Sequence, residues 1–312
     1  MTDPAPPDTL RDDLQRCRKR FQALVEPHRP DLYRHCRWLT GDPWDAEDLV
    51  QDTVLRAFAS LSRRFADLPP IRPWLLRIAT NRWIDLRRAD REGAPALAEP
   101  VAPAAVDPVE FGEAAEILLA LPPRERAVVA LVDGLGLSAA DAAACLDSGE
   151  GAVRAALHRG RDRLRAAAPV ERRRLPAKRV DAGLLAAFVS AFNARDLPAL
   201  RAVLAPHCRA EVIGLVHEET RDEIMGGSIA HTVTEVGCTV LAETVVIDGE
   251  TMVLFTYPDD GADTRSVGDV LRFTTSDGAI SEFRYYFFCP EVLREIGARL
   301  GRTVTTSGYW FR

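Results

Sequence analysis

Apolar residues recur every three or four positions between residues 45 and 61, which is the period of an amphipathic helix. Asp45 precedes the run and Asp48 follows three residues later, so the pattern predicts a helix that starts with a capping box. The polar residues fall together on the opposite face, which is either a solvated surface or a partner-binding surface. That face consists of Asp48, Gln51, Asp52 and Arg56.

A second amphipathic helix is predicted from Pro73, because proline favours the first turn of a helix. Its apolar stripe is Trp74, Leu75, Ile78, Ala79 and Ile84. Residues 53–91 contain nine Arg and three Asp, so this helix carries a positive field that can neutralise phosphates. The same arginines also fit an ordinary solubilising surface, and each Trp fits a core position as well as base stacking.

Three further helices are predicted between residues 111 and 168. Pro122 and Pro123 open the first, Ser138 caps a short second, and a turn at residues 147–149 leads into an arginine-rich third. A short helix, a tight turn and a basic helix make a helix-turn-helix, whose second helix can enter a major groove.

The chain changes character at Asp181. Two amphipathic helices come first, and short β-type runs follow, separated by turn sequences such as DG and SDG. We therefore predict an α+β domain in which two helices precede a curved antiparallel meander, with a last helix over residues 290–300. The predicted strands are residues 208–215, 238–248, 251–258, 266–275 and 280–288.

Length and composition narrow the classes of protein. A chain of 312 residues predicts two or three domains. The net charge of -6 is uneven, because residues 181–312 carry 19 acidic and 11 basic side chains, whereas residues 154–179 carry ten Lys or Arg and two acids. Six scattered cysteines indicate neither a zinc site nor a disulfide framework, and no cofactor is implied. The Pro- and Asp-rich start differs from a signal peptide and no run is long enough to span a membrane, so we expect a cytoplasmic protein.

The first two helices resemble region 2 of bacterial sigma-70 factors, specifically the extracytoplasmic-function (ECF) subfamily. Residues 45–52 read D-A-E-D-L-V-Q-D and residues 74–81 read W-L-L-R-I-A-T-N, in the order and spacing of that family. The resemblance implies that Asp48, Gln51, Asp52 and Arg56 bind the clamp helices of core RNA polymerase. It also implies that the loop at about residues 63–72 holds a flipped base, and that the following helix engages the -10 element through Arg72, Trp74, Arg77, Asn81, Arg82, Asp85, Arg87 and Arg88.

The helix-turn-helix resembles sigma region 4, with L-P at residues 121–122, G-L-S at 136–138 and G-A-V-R at 151–154. One position departs from that pattern: the family's usual Arg is Ala156 here, so we expect a phosphate or base contact to be lost. The resemblance implies contact with the polymerase flap region and places five residues against the -35 element: Arg154, Ala155, His158, Arg159 and Arg161.

The third domain resembles the SnoaL-like members of the NTF2-like fold, a cone of curved sheet closed by helices. Some members are cyclases or isomerases, but this sequence has no recognisable acid/base pair, and we do not predict an enzyme. Each candidate ligand-contacting residue also fits a surface or core position. These candidates are His207, His217, His231, Arg284, Tyr285 and Tyr286.

The resulting fold class is multidomain, with two all-α sigma domains followed by an α+β NTF2-like cone. The predicted segments are a disordered N-terminus (1–20), sigma region 2 (21–91), a flexible linker (92–112), sigma region 4 (113–168), a basic linker (169–180) and the SnoaL-like domain (181–312).

The function predicted from this order is promoter-specific transcription initiation, with core RNA polymerase and promoter DNA as partners. A small-molecule ligand or an anti-sigma factor is a further candidate partner, and the acidic third domain is expected to regulate the basic helix. The alternatives are a SnoaL-like enzyme tethered to a DNA-binding module, and a repressor that does not contact polymerase.

Overall fold

A computed structural model describes residues 8–61, 68–93, 117–166, 180–235, 240–259 and 264–309. The chain divides into two compact units, Met1–Arg172 and Arg173–Arg312, which are described separately. Nearly all of the predicted flexible linker and basic linker lie outside the described residues, as does part of the predicted base-holding loop.

Four helices form the first half of the first unit: α1 (Asp8–Val25), α2 (Arg29–Thr40), α3 (Pro43–Leu61) and α4 (Ile71–Gly93). A buried ion pair between Arg29 and Glu47 joins α2 to α3. The Nε2 atom of His35 lies 2.7 Å from Oγ1 of Thr80 and joins α2 to α4. Burial, with the nearby charge of Arg72, lowers the pKa of His35 to about 3, so this histidine is neutral.

Two predictions about helix starts were wrong. Residues 8–20, expected to be disordered, belong to α1, because its C-terminal end is held by buried Val25 and by Phe21, whose ring centroid lies 5.1 Å from that of Phe58. Helix α3 is capped by Asp42 rather than Asp45: the Asp42 carboxylate accepts hydrogen bonds from the backbone N–H groups of residues 44 and 45 at 2.9 and 3.0 Å. Pro43 then occupies the first turn, where its missing N–H costs nothing.

The second half of this unit, which we call the helix-turn-helix half, contains α5 (Pro123–Val129), a π-helical turn (Ala130–Gly134), α6 (Ala139–Cys145) and α7 (Glu150–Ala166). The predicted Ser138 cap is confirmed, since its hydroxyl accepts from the backbone N–H of Asp141 at 3.1 Å. Asp147 has a φ of 45°, a left-handed conformation that Asp tolerates better than most residues, and it makes the turn into α7.

The second unit begins with α8 (Ala182–Asn193) and α9 (Leu197–Val203). Six strands follow: β1 (Leu204–Val212), β2 (Val216–Glu218), β3 (Leu241–Ile247), β4 (Glu250–Pro258), β5 (Arg265–Ser276) and β6 (Ala279–Tyr285). They form one sheet in the order β2-β1-β6-β5-β4-β3. The α+β class is therefore confirmed, but the purely antiparallel meander was wrong, because β1 pairs with β6 in parallel.

The core of the second unit is aromatic. Phe188 and Phe192 of α8 pack on the inward strand residues Phe255, Phe273 and Phe283. Between β2 and β3 lie two short helices, α10 (Arg221–Gly226) and α11 (Ser228–Ala230), which the sequence did not predict. The last helix, α12 (Pro290–Leu300), has the predicted bounds.

Candidate polymerase and promoter interface

The outward face of α3 brings the predicted polymerase-binding residues onto one side of the helix. Asp48 and Arg56 are exposed, while Gln51 and Asp52 are half-buried. The Asp52 carboxylate accepts a hydrogen bond from Arg56 at 2.7 Å and another from Arg82 of α4. Asp52 therefore also ties α3 to α4.

Two apolar residues extend this face: Leu55 was missed from the sequence, and Phe58 was counted in the apolar stripe that faces the core. Leu55 and Phe58 have 67% and 41% of their surface exposed, and they follow Asp48 and Gln51 along the same side of the helix at i+7. Leu55 lies outside the apolar stripe that predicted the helix, and a large apolar residue among polar ones was the available signal. We define the α3 face as Asp48, Gln51, Asp52, Leu55, Arg56 and Phe58.

The predicted -10 residues differ in how far they are exposed to solvent. Arg77, Asp85, Arg87 and Arg88 are exposed, and Arg72, Asn81 and Arg82 are half-buried. Trp74 has only 7% of its surface exposed and lies in the core. In this conformation it is not available to stack on a base.

The start of α4 is held by residues of α2 and of the helix-turn-helix half. Arg72 bonds to Asp31 at 2.6 Å and donates to the backbone carbonyl of Leu135 at 3.1 Å. Arg77 forms an ion pair with Asp147 at 2.6 Å. Two arginines that the sequence assigned to the -10 element thus form bonds with other residues of this protein.

Arg126 of α5 makes a longer-range connection. It donates to the backbone carbonyls of Leu39 and Leu119 at 2.8 Å and of Leu121 at 3.1 Å, and it lies over the ring of Trp83. Burial, assisted by the charge of Arg87, lowers its pKa to about 10, so it stays charged at neutral pH. A buried guanidinium with three carbonyl partners fixes α5 against α2 and α4.

Helix α7 presents the predicted -35 residues on its solvent side, since Arg154, Ala155, His158, Arg159 and Arg161 are all exposed. Their contacts are local or reach neighbouring helices of the same motif. Arg154 bonds to Glu150 at 3.0 Å, Arg159 to Glu125 at 3.1 Å and Arg161 to Asp133 at 3.0 Å. Because both partners are largely exposed in most of these pairs, phosphates can compete for the arginines.

The departure at Ala156 has a structural explanation. Ala156 is fully buried with Val153, Leu157 and Gly160 on the inward side of α7. A Cβ atom at Gly160 would lie 2.8 Å from a methyl group of Val129, so the helices pack closely here. In this chain the side chain at this position packs against the neighbouring helices and is not exposed to solvent.

The structure brings two of the candidate ligand residues of the second unit to one carboxylate. Arg284 bonds to Glu211 at 2.7 Å, and Nε2 of His217 lies 3.6 Å from the same side chain. His207, His217 and His231 are exposed. Tyr285 and Tyr286 are adjacent in sequence and both buried.

An acid that the sequence analysis missed lies in the sheet. Asp269 of β5 is opposite Phe255 and is 2% exposed; its carboxyl accepts from the Val270 N–H at 2.7 Å. Burial raises its pKa well above the usual range. The signal was an acid between apolar residues of a strand.

Two searches of the described residues gave negative results. No group of His, Cys, Asp and Glu in the described ranges is arranged to hold a metal ion. Within the same ranges, no helix is both long and apolar enough to cross a membrane.

Comparison with known proteins gives the class. The Sigma-70 region 2 family matches residues 24–92, and the Sigma-70, region 4 family matches residues 111–164. The ECF RNA polymerase sigma factor SigL of Mycobacterium tuberculosis is 34% identical over 149 residues, which cover 44% of this chain and 82% of SigL. The chain belongs to the ECF RNA polymerase sigma factor family.

A longer alignment is found with ECF RNA polymerase sigma factor SigG of the same species, 33% identical over 214 residues. It spans 58% of this chain and 58% of the length of SigG. The solved structure of the M. tuberculosis ECF factor SigJ aligns over 86% of this chain and 95% of its own, with 20% identity and a TM-score of 0.32.

Proposed function

We propose that this protein is a sigma factor that binds core RNA polymerase and directs it to promoters. The observation that carries the proposal is the α3 face, where exposed Leu55 lies in line with exposed Asp48, and exposed Phe58 lies in line with Gln51. Exposed apolar side chains beside charges are typical of a docking surface. In this proposal the clamp helices of polymerase bind the α3 face, and the flap region contacts the helix-turn-helix half.

Promoter recognition is divided between two helices. The exposed arginines of α4 neutralise phosphates at the -10 element, and the first turns of α7 enter the major groove at the -35 element. Melting the -10 element requires bases to leave the stack, and contacts with the protein offset that cost. The polymerase carries out the chemistry, and the sigma factor acts in the cytoplasm where the chromosome is.

The test is binding to purified core polymerase and run-off transcription. Asp48→Lys reverses the charge of an exposed acid on the α3 face, so we expect polymerase binding to weaken at least about tenfold and transcription to be lost. Asp52 is a poor choice, because its removal also breaks the bond to Arg82. Asp12→Lys, at an exposed position of α1, is the matched control. Unchanged binding by Asp48→Lys would refute the docking assignment.

We further propose that the second unit is a SnoaL-like control domain. It carries the excess of acidic side chains, whereas α7 and the residues after it are basic. A tethered acidic domain competes with DNA for basic residues at a high effective concentration. A chain ending at residue 177 should therefore transcribe differently from the full chain at equal concentration, and identical transcription would contradict a regulatory role.

A further inference from the structure

Strand β3 lies at one end of the six-stranded sheet and, among the described residues, pairs only with β4. Ile247 and Glu250 flank a two-residue turn, Asp248 and Gly249, whose φ values of 52° and 86° are those of a tight hairpin. The flanking residues of such a hairpin exchange hydrogen bonds, and bonded and non-bonded positions then alternate along the antiparallel pair. Every second residue of β3 therefore directs its backbone N–H and C=O groups away from the sheet.

The first residues of this edge are bonded to side chains of the same chain. Asn193, the last residue of α8, donates to the Ala242 carbonyl at 2.9 Å and accepts from the Ala242 N–H at 2.8 Å. Arg195 donates to the Val240 carbonyl at 2.6 Å. The bonds of Asn193 show that Ala242 faces away from β4. They also leave no free backbone group there for another strand.

The rest of the edge is open. Because β3 and β4 pair without a register shift, the alternation that turns Ala242 outward also turns Thr244 and Val246 outward. Nothing in the described part of the chain bonds to the four outward groups of these two residues. Both side chains are exposed, and Val246 has 66% of its surface exposed. Residues 244–247 are all β-branched and include neither Lys nor Pro, so this edge can accept another strand.

We propose that the open half of β3, which we define as residues 243–247, pairs antiparallel with the open half of β3 in a second copy of this chain. The two-fold axis passes through Val245. Thr244 then lies opposite Val246 of the second copy, and Val246 lies opposite its Thr244. Each of these two pairs exchanges two backbone hydrogen bonds, so all the open groups of both chains are satisfied. The dimer does not depend on the proposed sigma function.

The length of the open half favours a second copy as the occupant. Asn193 and Arg195 occupy the edge before it, and the hairpin turn follows it. Around Val245, residues 243–247 of one copy lie opposite residues 247–243 of the other, so the two open halves have equal length and the same limits. A longer extended segment would meet Asn193 and would have to break its two bonds to Ala242.

The side chains at this contact also fit two-fold symmetry, which requires a surface that complements itself. Val245 lies opposite Val245 of the second copy, and Glu243 lies opposite Ile247, so no like charges face each other. Glu243 is paired with Arg302 of its own chain, which neutralises its charge. Pairing covers the exposed Val246 side chain as well.

The first test is sedimentation velocity of the full chain between about 1 µM and about 1 mM, where contacts of this small size associate. We expect a shift from monomer to dimer as the concentration rises. Val246→Lys brings two like charges into the contact and should raise the dimer Kd at least about tenfold. Val216→Lys, at a 39% exposed position of the opposite edge strand β2, is the matched control and should leave the Kd unchanged. A chain that stays monomeric throughout, or equal effects of the two substitutions, would overturn the proposal.

Amide hydrogen exchange locates the contact at single residues. Between the lowest and highest concentrations, exchange of the Thr244 and Val246 N–H groups should slow at least about tenfold. The Ala242 N–H, which is bonded to Asn193, should be equally protected at both. A dimer without this slowing would place the contact elsewhere and overturn the pairing. Protection that appears only on adding core RNA polymerase would assign the edge to polymerase and overturn the second copy as its occupant.

A cysteine at the axis tests the register. Opposite residues at a non-bonded position of an antiparallel pair have Cα atoms about 4.5 Å apart, which is within reach of a disulfide. Val245→Cys, treated with diamide as the oxidant, should therefore give a dimer whose two copies are linked through residue 245, identified by mass spectrometry. Val216→Cys should give no corresponding link. A dimer of Val245→Cys that does not form this link would refute the axis.

Discussion

The two helices assigned to promoter DNA differ in how their arginines are held. In α4, Arg72 and Arg77 bond to residues of the opposite half of the unit, and Arg82 bonds to α3. In α7, Arg154 pairs within its own helix, and Arg159 and Arg161 pair with residues of the same helix-turn-helix half. The position of α4 thus depends on long-range packing, whereas α7 displays its arginines whatever the rest of the unit does.

The largest effect should come from Arg126, which holds the halves together. Arg126→Met removes three hydrogen bonds to backbone carbonyls, two of them buried, and at about 1 kcal/mol each the loss is about 3 kcal/mol. The melting temperature of the first unit should fall by about 6–12 °C. Tryptophan fluorescence can follow it, because four of the five tryptophans belong to this unit. Arg154→Met, which breaks the exposed pair with Glu150 within α7, should shift the melting temperature by less than about 3 °C. Equal shifts would remove the contrast.

The next effect tests the inward side of α7. Ala156→Arg restores the family residue but inserts a long charged side chain at a fully buried position. We expect a loss of about 2 kcal/mol or more in unfolding free energy by urea denaturation, and no tighter binding to -35 duplexes. Ala155→Arg, one residue earlier and exposed, should leave stability within about 0.5 kcal/mol. Tighter DNA binding by Ala156→Arg would show that this position reaches DNA.

Acid should lower the stability of the first unit through His35, which bonds to Thr80 of α4. Its folded pKa is about 3 and its unfolded value about 6.5, so the unfolded state takes up the proton first. Stability is therefore complete above pH 6.5 and should fall by about 1.4 kcal/mol per pH unit as the pH drops below it. His35→Gln should remove this dependence between pH 6.5 and 5, while His158→Gln on exposed α7 should keep it. Urea denaturation at several pH values measures the unfolding free energy of both variants. A pH dependence that persists in His35→Gln would contradict this role of His35.

The smallest effect concerns DNA binding by the isolated protein. Arg154→Ala should reduce the slope of log affinity against log salt by about 1 on a -35 duplex, because one phosphate contact is lost. Arg77→Ala should leave the same slope unchanged, since Arg77 is paired with Asp147. Fluorescence anisotropy over a range of salt concentrations measures both. A matching reduction by Arg77→Ala would mean that α4 already contacts the duplex.

Periodicity predicted most helices and strands, because each buries a stripe or a face that is visible in the sequence. The α3 and α4 helices and the Ser138 cap are examples. What could not be predicted depends on contacts between distant residues. The parallel pairing of β1 with β6 joins residues about 75 positions apart, and nothing local in either strand encodes that direction.

The candidate site was predictable in composition and less so in geometry. A list of polar residues on α3 included Asp52 but could not show its bond to Arg82, because that bond depends on how α4 crosses α3. Trp74 fitted both core and stacking positions, and only the packing placed it inside. The assignment of individual residues to polymerase or DNA remains a prediction.

The shared carboxylate of Asp52 has a consequence for how this surface can change over evolutionary time. One side chain takes part in the α3 face and also orients an arginine of α4, so its substitutions affect two functions at once. Arg56, which also bonds to Asp52, shares this constraint. Variation at these three positions should be correlated, and a neutral route away from Asp52 has to pass through compensating changes at both arginines.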